Sequence, residues 1–185
     1  MNEPSPPIDA RRDEELIAAA NAGDLEAFEA LYRRYRGWVA ALALRFTGDP
    51  DLALDVLQET FVYLVAKLPS LQLTARMTTF LYPAVKNLSL AARRKRGRFA
   101  GNEEALLAIP DRETTGGPAE DLAGVLSTLP ETHREVLWMR FVDEMSLEEI
   151  ACALGIPLGT VKSRLHNALG TLRADRRTRR YFGLD

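Results

Sequence analysis

A chain of 185 residues with 46% hydrophobic content is long enough for one moderate core or two small ones. No apolar run approaches the roughly 20 residues that cross a bilayer, and the opening Met1-Asn-Glu-Pro-Ser-Pro-Pro7 lacks the basic-then-apolar layout of a signal peptide, so a cytoplasmic protein without membrane insertion is expected. The net charge of −2 hides a strong asymmetry: positions 99–157 carry 12 acidic residues against 3 basic, and positions 158–185 carry 7 basic against 2 acidic. A second basic cluster, Arg93-Arg-Lys-Arg-Gly-Arg98, lies upstream. Two positive footprints around an acidic middle suggest two contacts with a polyanion.

In chain order, the Pro-rich residues 1–12 predict a disordered arm. Leu16, Ala19 and Ala20 form a short helical stripe ending near Gly23, and Asp24 is placed to cap the next helix. Phe28, Leu31, Tyr32, Tyr35, Val39, Leu42 and Phe46 then recur at steps of three and four, the pattern of a long amphipathic helix. Thr47-Gly-Asp-Pro50 ends it. A third helix from about Asp51 carries Val56, Leu57, Phe61, Leu64, Val65 and Leu68 inward and shows Asp55, Gln58 and Glu59 on its other face, stopping before Pro69. Residues 70–79 are polar and aperiodic, and a fourth helix runs from Phe80 into the first basic cluster. Pro83 is harmless there if Thr78 or Thr79 caps the helix; otherwise a kink is expected.

Residues 98–121, with Thr114-Thr-Gly-Gly-Pro118, read as an acidic flexible linker that reaches tens of Å when extended. Helices over 122–129 and 131–142, divided by Pro130, open a second domain that ends near residue 177. Residues 178–185 form a tail. No alternation of strand type and no internal repeat is present, so the fold class is all-α: two small helical domains, 13–97 and 122–177, joined by the linker.

Within the second domain, Ser146 followed by Glu149 is a capping-box pair. Leu147, Ile150, Ala151 and Leu154 share one helical face, Gly155 supplies a left-handed terminus, and Pro157 prevents continuation. From Gly159 a second helix turns Val161, Leu165, Ala168, Leu169 and Leu172 inward, which leaves Thr160, Lys162, Ser163, Arg164, His166 and Asn167 toward solvent. Two short helices about a tight turn, the second polar outside, make a DNA-reading helix-turn-helix, with residue types that reach base edges and phosphates.

No catalytic set assembles. The two histidines, His133 and His166, are not at metal-ligand spacing, and no glycine-rich phosphate loop stands between a strand and a helix. The acidic pairs lie in linkers or on helix surfaces. No metal or cofactor is expected, and a non-enzymatic role follows. Cys152, the single cysteine, falls on the inward stripe and is expected to be a small core residue.

Four segments in order resemble the extracytoplasmic-function sigma factors, bacterial RNA polymerase subunits with region 2 and region 4 domains. Gly23-Asp-Leu-Glu-Ala-Phe-Glu-Ala-Leu-Tyr32 resembles the start of the first domain, and Asp55-Val-Leu-Gln-Glu-Thr-Phe61 resembles its polymerase-docking helix. Thr79-Phe-Leu-Tyr82, Asn87 and the Arg93 cluster are similar to the helix engaging the minus-10 element. Leu129-Pro130, Arg134-Glu-Val-Leu-Trp-Met-Arg-Phe141 and Gly159-Thr-Val-Lys-Ser-Arg-Leu165 resemble the minus-35 domain.

The resemblance implies docking on core RNA polymerase through Asp55, Gln58, Glu59 and Phe61. It implies minus-10 contacts and melting through Thr79, Tyr82, Asn87, Arg93, Arg94 and Arg96, with a base-capturing loop at about 71–78. Minus-35 readout falls to the helix-turn-helix, with Arg173, Arg176 and Arg177 on phosphates. Double-stranded promoter DNA, the melted single strand and an anti-sigma factor are the further partners it implies. Met77 and Phe80 stand where the family often has Phe and Trp, Pro83 replaces a more helix-compatible residue, and Asn167 and Leu169 take positions that are often basic. Two other functions stay open on the residues: an autonomous helix-turn-helix regulator, and a sigma-like protein that sequesters polymerase or a regulator without initiating.

Overall fold

The computed structural model describes residues 9–100, 124–176 and 178. The arm at 1–8, linker positions 101–121, Arg177 and the tail beyond 178 lie outside the described residues. The chain divides into two compact units, Met1–Glu103 and Glu104–Asp185. Among the described residues every regular element is helical.

The first unit has four α-helices: α1 (Asp13–Asn21), α2 (Leu25–Thr47), α3 (Pro50–Lys67) and α4 (Met77–Ala100), with a 3₁₀ turn at Leu68–Ser70. Each start has a local chemical cause. Asp13, Glu14 and Glu15 put negative charge in the first turn of α1, where the helix dipole is positive. Asp24 accepts from the backbone N–H of Glu26 and Ala27 to start α2, and Asp49 accepts from Asp51 and Leu52 to start α3, whose first residue is Pro50. Gly48 ends α2 at φ 66°, a left-handed turn that costs a side-chain-bearing residue steric strain.

Leu16, Leu31, Val39, Leu42, Phe46, Val56, Leu64, Leu81 and Tyr82 are all essentially inaccessible and form the core beneath these helices. Burial of such side chains stabilises by about 1.5–3 kcal/mol each before entropy is charged against it. Phe46 and Tyr82 meet edge to face at 6.0 Å.

Three expectations change here. Residues 9–12 are not loose: Arg34 of α2 donates to the carbonyls of Asp9 and Arg11, at 2.8 Å each. The fourth helix begins at Met77 rather than Phe80, its first turn closed by Thr79 and Phe80 N–H on the Arg76 carbonyl. Pro83 is therefore the seventh residue of α4, an interior position, where it removes the N–H that would pair with the Thr79 carbonyl. Finally Val65, expected inward on α3, is 49% exposed.

The second unit has a helical turn at 124–127 followed by α5 (Glu131–Phe141), α6 (Leu147–Leu154) and α7 (Leu158–Ala174). Leu129, Leu137 and Ala168 form one buried cluster, covered by Leu126, Leu165, Leu169 and Leu172. Met139, Met145, Ile150 and Val161 are fully buried as well. The inward stripe of α7 follows the three-and-four spacing of the sequence.

Candidate nucleic-acid interface

The turn between α6 and α7 is built as its residues dictate. Ser146 Oγ accepts from Glu149 N–H at 3.1 Å, and the Glu149 carboxylate accepts from Ser146 N–H at 2.7 Å, so two backbone donors of the helix start are satisfied reciprocally. Gly155 takes φ 64° and ends α6. Pro157 then precedes α7, where its missing N–H costs no helical bond.

On α7, Lys162, Ser163, His166, Asn167 and Arg173 are exposed, and Thr160 and Arg164 are half-buried. Ser163 Oγ donates to the Thr160 carbonyl at 3.0 Å, holding that hydroxyl against the helix. Lys162, Ser163, His166 and Asn167 thus turn away from Val161 and Ala168, whereas Arg164, three residues from the one and four from the other, lies at the edge of their face. Arg176, just past the helix, is exposed too. Cys152 departs from expectation: it is exposed on α6, because two residues on from Ile150 it turns to the far side of the helix.

In the first unit the expected minus-10 residues divide into two groups. Asn87, Arg94 and Arg96 are exposed on α4, and Arg93 is half-buried. Thr79 and Tyr82 are buried, at 3% and 1% exposure, because starting α4 at Met77 puts Thr78, Leu81, Tyr82 and Val85 on one inward face. Thr79 and Tyr82 thus belong to the core of the unit rather than to its surface. Two of the cluster's arginines also have structural employment. Arg93 donates to the Phe46 carbonyl at 3.3 Å, and Arg96 pairs with the Asp49 carboxylate. Lys95 and Arg98, the remaining basic members of the cluster, are exposed beside Arg94.

The loop before α4 spans residues 71–76, shorter than the 71–78 expected. Beside it opens a cavity of about 340 Å³, lined on one side by Leu73, Ala75, Arg76 and Met77 and on the other by Arg12, Asp13, Glu14, Arg34 and Tyr35. Asp13 accepts from the Tyr35 hydroxyl and, at 2.5 Å, from Arg34. Burial first, and then this carboxylate, push the Tyr35 hydroxyl well above the ordinary tyrosine range. Across α4, Phe80 stacks on Tyr63 of α3 with centroids 6.0 Å apart, and the Lys67 ammonium lies 5.4 Å from the Tyr63 ring.

On α3, Asp55, Gln58 and Glu59 are exposed as expected. Phe61, grouped with them, is instead core: it is 5% exposed and meets Tyr32 at 4.7 Å and Phe28 at 6.5 Å between centroids. Leu54 and Val62, at 55% and 69% exposure, continue the same outer face with apolar surface. Their spacing from Gln58 was the available signal, since a residue four away on a helix shares its side.

Residues 31–99 match the family described as Sigma-70 region 2, and residues 119–172 match Sigma-70, region 4. The chain belongs to the sigma-70 family. Within it, the chain is 29% identical over 174 residues to the ECF RNA polymerase sigma factor SigW of Bacillus subtilis, covering 85% of this chain and 92% of SigW. It is 27% identical over 172 residues to the ECF RNA polymerase sigma-E factor of Escherichia coli K12, covering 84% of this chain and 90% of that protein. This places it with the extracytoplasmic-function sigma factors. Among solved structures it is similar to CnrH in complex with the cytosolic domain of CnrY, with TM-score 0.63, 25% identity, and coverage of 88% of this chain and 95% of CnrH. Its fold is also that of RpoE from Bartonella quintana, solved with the anti-sigma factor NepR, with TM-score 0.60, 23% identity and coverage of 85% and 98%. No helix among the described residues is long and apolar enough to cross a membrane, and no cluster of three potential metal ligands occurs among them. Helix α1 and the turn after it precede the region 2 match.

Proposed function

We propose that this chain is the promoter-specificity subunit of bacterial RNA polymerase in the cytoplasm, acting without catalysis of its own. The observation that carries the proposal is the order of its two matched units, a region 2 fold followed by a region 4 helix-turn-helix whose α7 presents a polar outer face.

In this proposal α7 enters the major groove of the minus-35 element. Lys162, Ser163, Arg164, His166 and Asn167 face the base edges, Thr160 sits at the helix entrance, and Arg173 and Arg176 meet phosphates. A good base pairing contributes about 1–3 kcal/mol of discrimination. The first unit docks on core polymerase through Asp55, Gln58 and Glu59, with Leu54 and Val62 adding apolar contact. The loop 71–76, with Asn87, Arg94 and the neighbouring Lys95 and Arg98, holds the melted minus-10 strand. Unstacking a base costs a few kcal/mol, which such contacts must offset. The similar structures solved with the anti-sigma factor NepR and with the cytosolic domain of CnrY support a comparable protein partner for this chain.

Run-off transcription from a random promoter library, with purified protein and bacterial core polymerase and with core binding measured in parallel, tests the proposal. Core binding with transcripts that share two upstream boxes is the expected result. Core binding without transcripts would favour a sequestering relative, a reading to which the interior Pro83 lends weight. Direct promoter binding without core binding would make the protein an autonomous regulator.

A further inference from the structure

We infer that Asn21, at the last turn of α1, is a positioning residue for the strand-capturing loop 71–76, so that α1 sets the loop's register on the domain. The inference rests on the proposed role of that loop. Asn21 Nδ2 donates to the Leu71 carbonyl at 2.9 Å, a bond across 50 residues of sequence that joins the end of α1 to the loop's first residue.

The loop's first residue is also held by its own N–H, which donates to the Leu68 carbonyl at 3.3 Å. The loop's far end is fixed where the Arg76 carbonyl accepts from Thr79 and Phe80. Between these anchors Leu73 and Ala75, both half-buried, border the 340 Å³ cavity. Leu71 itself is buried, as is Leu68 in the preceding 3₁₀ turn, and Leu16 and Ile17 of α1 are buried with them in this unit. The near anchor therefore fixes where the exposed Gln72 and Thr74 begin their excursion.

The other half of the Asn21 amide strengthens the argument. Its Oδ1 is buried with no hydrogen-bond partner. An unpaired buried acceptor costs stability, and an apolar residue at this position would avoid the cost. What the amide supplies in return is the N–H donor to Leu71. Exchanging its oxygen and nitrogen would turn two acceptors toward each other, so the orientation is set by the bond itself.

Asn21→Asp tests this with almost no change in volume, because it replaces the donating NH₂ with a second acceptor. Amide exchange in the free protein is one readout. Exchange of the Leu71 amide, whose N–H donates to the Leu68 carbonyl at the loop's start, is expected to rise at least tenfold while the interior of α2 keeps its protection. The second readout uses the complex with core polymerase and a single-stranded oligonucleotide carrying the non-template strand of the minus-10 box recovered from the library. Its affinity is expected to fall at least tenfold, with core affinity held within twofold, and Asn21→Gln, which keeps a donor on a longer arm, is expected to recover part of the loss.

Unchanged loop exchange and oligonucleotide affinity in Asn21→Asp would overturn the inference. Equal loosening of α2 with parallel loss of core affinity would also overturn it, by making Asn21 a general stabiliser. A wild-type complex that bound core but not the oligonucleotide would remove the loop's proposed role, while the exchange readout would still report whether Asn21 holds the loop.

Discussion

The Arg96 guanidinium of α4 pairs with the Asp49 carboxylate while that carboxylate caps α3, so one acidic group starts a helix and ties it to the basic end of another. The Leu52 N–H first, with Arg96 adding to it, holds the Asp49 carboxyl below its ordinary value of 3.8. A depressed carboxyl stabilises the fold above its unfolded value and loses that contribution as pH falls through the folded one. Urea midpoints measured from pH 6 downward should therefore fall below about pH 4, and Asp49→Asn should flatten that part of the profile. Asp49→Ala should cost about 1 kcal/mol through the lost cap. Arg96→Ala should cost less, because the Arg96 side chain is 57% exposed and such pairs contribute only about 0.2–1 kcal/mol.

The same pair bears on DNA binding. Arg96 is held by Asp49, whereas Arg94 is exposed beside it. A lysine or arginine on a phosphate contributes about one unit to the slope of log affinity against log salt. Arg94→Ala should reduce that slope for promoter binding by the polymerase complex, and Arg96→Ala should leave it nearly unchanged. Equal effects of the two would place Arg96 on the DNA.

On α3, burial separates two residues that the docking motif groups together. Phe61→Ala should destabilise the first unit by roughly 3–5 kcal/mol, since a large aromatic is removed from the core. Glu59→Arg, on the exposed face, should leave thermal unfolding within a degree or two and weaken core binding at least tenfold. Core-binding titrations beside calorimetry separate the two effects.

How far the sequence foretold this depends on what each signal encodes. The capping box of Ser146 and Glu149, the glycine turn at Gly155 and the inward stripe of α7 are local: their donors, acceptors and periodicity lie within a few residues, and the structure has them where the spacing puts them. The start of α4 was less legible. Polar Thr78 and Thr79 looked like caps, but both are buried in the inward face that begins at Met77, and tertiary packing decided the boundary. Cys152 was misplaced for a different reason: two residues beyond Ile150 it lies about 200° round the helix, off the face that Leu147, Ile150 and Leu154 share. Asn21 carried no local signal at all; its partner is 50 residues away.

Tyr35 gives the first unit a sensitivity at high pH. Its hydroxyl is pushed above the ordinary value of 10 by burial and by the bond to Asp13. A raised folded value means the unfolded chain ionises first, so stability is whole below pH 10 and declines as pH rises beyond it. Tyr35→Phe should unfold less steeply between pH 10 and 11, as followed by circular dichroism in urea.

Arg164 is half-buried at the edge of the inward stripe of α7. Arg164→Glu should weaken minus-35 recognition by at least tenfold, by placing a carboxylate against the duplex, and leave core binding unchanged. Gel shifts with promoter fragments and parallel core titrations distinguish this from misfolding, which would lower both.

Cys152 is the chain's single cysteine and it faces solvent on α6. A maleimide dye added to the unaltered protein would therefore carry one fluorophore at one address, inside the promoter-reading unit. Arrival at DNA, departure from it and capture by an inhibitor become optical events on the native sequence, with no background thiol to remove first.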